Sequence, residues 1–110
     1  MIKDISSLNE FENILKTEQA ALFYFSHNKC NVCKVLKPKI ENLLIEYFPK
    51  VQMHYSNTEL NPEIAAQNSI FTVPTIVIFI DGKEFIRKSR NIGINELKND
   101  LTRPYNLMFS

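Results

Sequence analysis

The sequence lacks tryptophan entirely and has only two glycines and two cysteines among its 110 residues. It also shows no repeat, no low-complexity tract and no glycine-, serine- or proline-rich linker, which excludes fibrous and linker-rich architectures. Hydrophobic residues make up 45% of the chain, enough for one buried core but not for two at this length. We therefore expect a single domain over residues 1–110.

Long apolar runs and a strong charge excess are missing as well. The net charge is +1, which gives no reason to expect a nucleic acid or an acidic membrane surface as partner. The longest apolar runs, Ala20–Phe25 and Ile76–Ile80, are too short to span a bilayer. The first twelve residues contain no apolar segment and carry Asp4 and Glu10, unlike a secretory signal. These features predict a soluble, cytoplasmic chain without membrane or nucleic-acid partners.

The two cysteines, Cys30 and Cys33, are three residues apart. A crosslink stabilises a fold mainly by closing a long loop of the unfolded chain, and this pair would close almost none. In a cytoplasmic protein such a close pair indicates redox chemistry or metal binding.

The pattern of apolar residues predicts alternating helices and strands. A capping box at Ser7–Glu10 opens the first helix, continuous apolar runs mark buried strands, and Asp81-Gly82 predicts a hairpin turn. We expect an α/β sandwich in which a mixed sheet of four to five strands has helices on both faces. The predicted elements are helices at about 8–16, 30–48, 61–68 and 95–102 and strands at 20–26, 51–56, 75–80 and 84–88.

Three details of this assignment can be checked directly. Asn95 is expected to cap the last helix, which should end before Pro104. The apolar tail after Pro104 is expected to fold back onto the sheet. His54 alternates with apolar neighbours and is expected on the polar surface of its strand.

Cys30 is predicted to stand where a buried strand runs through a short loop into a helix. Backbone N–H groups and the positive end of the helix dipole favour a thiolate there. Residues 26–40 carry four lysines and no acid, so local charge should also lower the pKa of Cys30, with His27 and Lys34 as modulating residues. Cys33 lies one turn further on the same helix face. The spacing suits a nucleophile at Cys30 and a resolving thiol at Cys33.

These features resemble the thioredoxin family over roughly Asn9 to Leu101. The resemblance implies a thioredoxin-like three-layer sandwich that acts as a thiol–disulfide oxidoreductase and reduces protein disulfides. The motifs that carry it are Cys30-Asn31-Val32-Cys33-Lys34 after a buried strand, Pro38 in the following helix, Asn61-Pro62, Thr72-Val73-Pro74-Thr75 before an apolar strand, Asp81-Gly82, and Gly93 before the last helix.

The resemblance also implies how substrate is bound. Val73-Pro74 should be a cis peptide beside the cysteine pair, and the Val73 backbone should hydrogen-bond an extended substrate. Lys29, Asn31 and Val32 are then further substrate-binding candidates. The implied partners are disulfide-containing proteins and an electron donor of the thioredoxin-reductase type. We expect no cofactor or metal beyond the redox-active Cys30–Cys33 disulfide, and a monomer.

The sequence departs from the family at three positions. Lys29 stands where the family has the tryptophan that flanks the first cysteine. Tyr24 replaces the family's buried aspartate, and Tyr55 replaces the lysine that accompanies it. Resolution by Cys33 must then use another base, such as water, the departing thiolate or His27.

Two other functions stay open at this point. The fold could serve as a binding module that has lost efficient turnover, since the usual aspartate and tryptophan are missing. The cysteines could instead bind a metal with His27 and His54, although no metal-finger spacing is present. The four lysines, Lys29, Lys34, Lys37 and Lys39, are either a solvated helix face or a docking patch for acidic partners.

Overall fold

A five-stranded mixed sheet organises the chain in the computed structural model, which describes residues 2–109. The strand order is β1-β3-β2-β4-β5; β2 pairs in parallel with β3 and antiparallel with β4. The predicted α/β sandwich is confirmed, with a fifth strand at the N-terminus. The elements are β1 Ile2–Asp4, α1 Leu8–Thr17, β2 Ala20–Ser26, α2 Asn31–Tyr47, β3 Gln52–Asn57, α3 Pro62–Gln67, β4 Thr75–Ile80, β5 Lys83–Ser89 and α4 Ile94–Phe109.

Strand β2 lies at the centre of the sheet and is buried along its whole length. Its side chains alternate between two clusters because successive residues of a strand face opposite sides. Leu22 and Tyr24 pack in the cluster formed with α2 and α4. Phe23 and Phe25 pack in the cluster formed with α1 and α3. The strand that leads to the cysteines is therefore clamped from both faces.

The predicted hairpin turn between β4 and β5 is confirmed. Asp81 and Gly82 have φ of 51° and 78°, and two central residues with positive φ match the twist of antiparallel strands. A Cβ at Gly82 would lie 3.0 Å from the Leu15 carbonyl oxygen. Glycine is thus required both by the turn and by its close approach to α1.

The last helix differs from the prediction. It begins at Ile94, so Asn95 lies inside the helix rather than capping it, and it continues through Pro104 to Phe109. Tyr105 explains the extension: its ring lies 5.2 Å from that of Phe48, and burial of this apolar face offsets the hydrogen bond lost at the proline. The tail is helical, and Met108 and Phe109 pack against the core cluster that the sheet forms with α2. Within residues 2–109 no helix has the length and apolarity to cross a membrane.

Candidate active site

Cys30 occupies the turn between the buried strand β2 and helix α2. It is the residue immediately before the helix, with an extended backbone (φ −92°, ψ 102°). Its Sγ accepts a hydrogen bond from the backbone N–H of Cys33 at 3.2 Å. A helix N-terminus leaves such N–H groups without backbone acceptors. The sulfur of Cys30 therefore lies where negative charge is stabilised.

The two cysteines form a disulfide, with Cα atoms 5.2 Å apart, but their environments differ. Cys33 is 1% exposed and belongs to the core between the sheet, α2 and α4. Cys30 is only partly buried and lies at the edge of that core. Cys30 is thus the residue of the pair that an incoming molecule can approach, whereas Cys33 is covered by the protein.

Tyr24 lies directly beneath the cysteine pair. It is fully buried, and its hydroxyl donates a hydrogen bond of 2.6 Å to the carbonyl oxygen of Cys33. Burial, and secondly the neighbouring Tyr55, raise the pKa of Tyr24 above its ordinary value. At neutral pH the phenol keeps its proton, so Tyr24 holds the first turn of α2 but cannot serve as base for Cys33. The sequence predicted Tyr24 only as a core aromatic residue. The hydrogen bond from its hydroxyl to the Cys33 carbonyl depends on the fold and cannot be recognised from the sequence.

Replacing Tyr24 by phenylalanine should lower the free energy of unfolding by about 1–2 kcal/mol at pH 7, because the buried carbonyl of Cys33 loses its donor. A raised folded-state pKa stabilises the protein fully below the unfolded value near 10, and this stabilisation is lost as pH rises above it. The difference between wild type and Tyr24→Phe should therefore shrink above pH 10. Urea unfolding at pH 7 and pH 10.5 measures both effects.

Tyr47→Phe provides the matched control for this measurement. Tyr47 is 45% exposed, so removing its hydroxyl should change stability by no more than about 0.5 kcal/mol at either pH. Equal effects of the two variants would contradict a structural role for the hydroxyl of Tyr24.

A second tyrosine, Tyr55, lies beside Tyr24. Tyr55 accepts a hydrogen bond from Ser26 at 3.3 Å, and the Lys37 ammonium lies 3.9 Å above its ring. The positions of the family's buried aspartate and lysine are thus filled by two tyrosines with rings 6.4 Å apart. The partly exposed Lys37 ammonium is attracted by the electron-rich face of the Tyr55 ring.

The Val73-Pro74 peptide is cis, as predicted. Val73 is partly buried and packs against the same core cluster as Cys30. Asn31 and Val32 are exposed, Val32 by 62%. The Lys29 side chain is 82% exposed, with its Nζ 3.9 Å from the Glu59 carboxylate. These positions leave all four residues accessible for substrate; their binding roles remain predictions.

The two proposed modulators lie on either side of Cys30 in the chain. Nδ1 of His27 accepts the backbone N–H of Lys29 at 3.2 Å, so this nitrogen is engaged in its own loop. Lys34 donates its backbone N–H to the carbonyl of Cys30, and its side chain is exposed. Their influence on the thiol of Cys30 stays a prediction.

His54 does not lie on a polar surface, and this prediction is wrong. It is 2% exposed, stacks on Phe23 with ring centroids 5.2 Å apart, and its Nε2 lies 2.8 Å from Glu18. The pairing with a carboxylate allows a polar ring to be buried. Because Phe23 and Cys33 belong to clusters on opposite faces of the sheet, the structure does not bring His54 to the cysteines. Residues 2–109 contain no group of three potential metal-ligating side chains.

Comparison with known proteins assigns the family. The family model for thioredoxin matches residues 3–103 of this chain. This chain belongs to the thioredoxin family. Its relatives include the thioredoxin-like protein YdfQ of Bacillus subtilis (strain 168), which is 33% identical over 94% of this chain and 91% of its own length. A thioredoxin of Buchnera aphidicola subsp. Acyrthosiphon pisum (strain APS) is 31% identical over 96% and 97%, respectively.

Solved structures show the same thioredoxin fold. The crystal structure of thioredoxin from Trypanosoma brucei brucei superposes with a TM-score of 0.82, at 23% identity, over 100% of this chain and 93% of that one. The fold places Cys30 and Cys33 as the disulfide-forming CxxC pair. Together, the family and the pair identify a thiol–disulfide oxidoreductase of the thioredoxin type.

Proposed function

We propose that this thioredoxin-family protein reduces disulfides of other proteins, with Cys30 as nucleophile and Cys33 as resolving thiol. The observation that carries the proposal is the unequal setting of the two sulfurs. Cys30 is accessible and accepts the Cys33 N–H at the start of α2, whereas Cys33 is buried beside it. One sulfur is placed to meet a partner and the other to displace it.

The two steps balance in electrons and protons. The Cys30 thiolate attacks one sulfur of the partner disulfide, and the other partner sulfur leaves as a thiolate. Cys33 then loses its proton and attacks Cys30, which releases the second partner thiol and forms the Cys30–Cys33 disulfide. Because Tyr24 retains its own proton, the proton of Cys33 passes to a departing thiolate, directly or through water. Two electrons move from this protein to the partner.

Partners and compartment follow from the same proposal. An extended segment beside the partner's cysteine would hydrogen-bond the Val73 backbone next to the cis proline, in the manner of an added strand. Lys29, Asn31 and Val32 would contact its flanks. A reductase of the thioredoxin-reductase type would restore the dithiol, so no cofactor is bound by this chain itself. We place the protein in the cytoplasm, as a monomer.

Reduction of insulin disulfides tests the activity. With dithiothreitol as electron source, the protein should accelerate precipitation of the insulin chains well beyond dithiothreitol alone. Iodoacetamide at pH 7 should alkylate the reduced protein at Cys30 at least about tenfold faster than at Cys33, because only Cys30 is both accessible and at a helix start. Peptide mass mapping separates the two sites. No acceleration of insulin precipitation, or equal alkylation of both thiols, would contradict the proposal.

Insulin reduction and alkylation, together with peptide binding and metal analysis, separate the two other functions from this one. A redox-weak binding module would retain peptide binding but show neither insulin reduction nor fast alkylation of Cys30. A metal protein would be purified with stoichiometric zinc or iron, and its alkylation would accelerate after chelation.

A further inference from the structure

A groove of about 440 Å³ opens beside the inter-cysteine residues Asn31 and Val32. It runs between the first three turns of α2 and the segment that joins β5 to α4. Two cationic side chains, Lys39 and Arg90, line it. Among the described residues, no acidic side chain does. The apolar part of its lining consists of Val32, Val35, Leu36 and Ile92.

Arg90 is held in a defined position at this groove. Its φ of 61° lies in the left-handed region, which is uncommon for a residue other than glycine. Its backbone N–H donates to the carbonyl of Pro74 at 2.8 Å, and its Nε lies 3.4 Å from Oγ1 of Thr72. Strained backbone is retained where the surrounding structure requires it, often at binding sites. Here it fixes the point at which the exposed Arg90 side chain leaves the backbone, next to the cis-proline loop.

The charge of Arg90 is not neutralised within the part of the chain described. Its one side-chain hydrogen bond is made by Nε, and no carboxylate among residues 2–109 forms an ion pair with it. By contrast, the neighbouring Lys88 is engaged by both Glu96 and Asp100. The outer nitrogens of a guanidinium match a carboxylate in two parallel hydrogen bonds. A carboxylate is thus the group that complements this end of the groove.

We propose that the groove selects partners by an acidic side chain near the disulfide to be reduced. Arg90 and Lys39 would bind the carboxylate, while the exposed faces of Val32 and Val35, 62% and 60% exposed, would contact aliphatic parts of the same segment. Because the groove begins at the residues between the cysteines, its occupant must flank the reacting cysteine of the partner. This inference rests on the proposed function and adds a substrate class to it.

Peptide disulfides measure this selectivity. The substrates are symmetrical disulfides of short peptides, each peptide with one cysteine and one glutamate. The glutamate is placed in turn at each position from three before to three after the cysteine, and each peptide has a counterpart with glutamine instead. Single-turnover rates with reduced protein give a Glu:Gln ratio for each position. At one or more positions the glutamate peptide should be reduced about fivefold faster than its glutamine counterpart at low salt. This is the effect expected of an exposed charge pair worth up to about 1 kcal/mol. The ratio should fall in 0.5 M salt.

Variants assign the preference to the groove. Arg90→Gln and Lys39→Gln together should bring the ratio below about twofold, and Arg90→Lys should retain part of it. Arg90→Gly is a second test, since glycine tolerates the same φ and keeps the loop unstrained. Lys83→Gln removes the same charge at the far end of the sheet, next to Ile80 in the β4–β5 pairing, and should leave the ratio unchanged.

The outcomes distinguish this inference from the function on which it rests. If neither glutamate nor glutamine peptides are reduced, the proposed function fails. If both are reduced with no preference at any position, or if the preference survives removal of both cations, only the acidic selectivity is refuted.

Discussion

Replacing Cys30 by serine should abolish disulfide reduction, lowering the rate by about 10³-fold or more, because the attacking sulfur is lost. Replacing Cys33 by serine should instead preserve the first step and arrest the second. The partner then remains attached to Cys30 as a mixed disulfide, since no neighbouring thiol can displace it. Insulin reduction measures the first effect, and intact mass before and after treatment with dithiothreitol measures the second.

The two serine variants act as controls for each other. Both variants exchange one sulfur for oxygen and remove the disulfide, so loss of the disulfide itself affects both in the same way. Capture of a partner by Cys33→Ser but not by Cys30→Ser is the expected pattern. Capture by Cys30→Ser alone would reverse the roles, and it would conflict with the burial of Cys33.

Replacing Phe23 by alanine should lower the free energy of unfolding by about 3–5 kcal/mol, through loss of buried surface and creation of a cavity. Phe23 is fully buried in the central strand. Its ring centroid lies 4.8–5.6 Å from those of Phe11, His54 and Phe79. Urea unfolding followed by circular dichroism measures the change. Phe23→Leu, which keeps most of the volume, should cost less than half as much and remains measurable if the alanine variant is unfolded.

Phe71→Ala is the matched control for this experiment. The Phe71 side chain is 91% exposed, so its truncation should change stability by no more than about 0.5 kcal/mol. A comparable loss from both variants would show that the aromatic cluster around Phe23 does not dominate the core as the structure indicates.

The sequence predicted most of the architecture because its local signals agree with the final packing. Continuous apolar runs marked β2 and β4, the turn chemistry of Asp81-Gly82 marked the hairpin, and helical spacing marked α2. The N-terminal strand was not predicted because β1 spans only three residues, Ile2–Asp4. This is too short for the alternation of apolar and polar residues to be recognised. The end of α4 was misjudged because packing of Tyr105 against Phe48 outweighs the local preference of Pro104 to end a helix.

The cysteine pair was predictable because its chemistry depends on spacing and residue type, and the cis Val73-Pro74 peptide because the surrounding motif resembles the thioredoxin family. The residues that surround the cysteine pair were less predictable. His54 was placed on the wrong side because its burial depends on Glu18, a residue 36 positions away. The role of Tyr24 depends on a hydrogen bond from β2 to the carbonyl of Cys33 in α2, and that of Arg90 on a left-handed backbone conformation. Neither role can be recognised from the residue type or from the neighbouring residues in the sequence.

The unequal exposure of the two sulfurs also bears on damage by peroxides. A peroxide that oxidised Cys30 would form a sulfenic acid. The buried Cys33 thiol, one turn away, would then condense with that sulfenic acid, release water and form the disulfide. Because this reaction would compete with further oxidation to sulfinic acid, the placement of Cys33 would keep Cys30 in a form that a dithiol can restore.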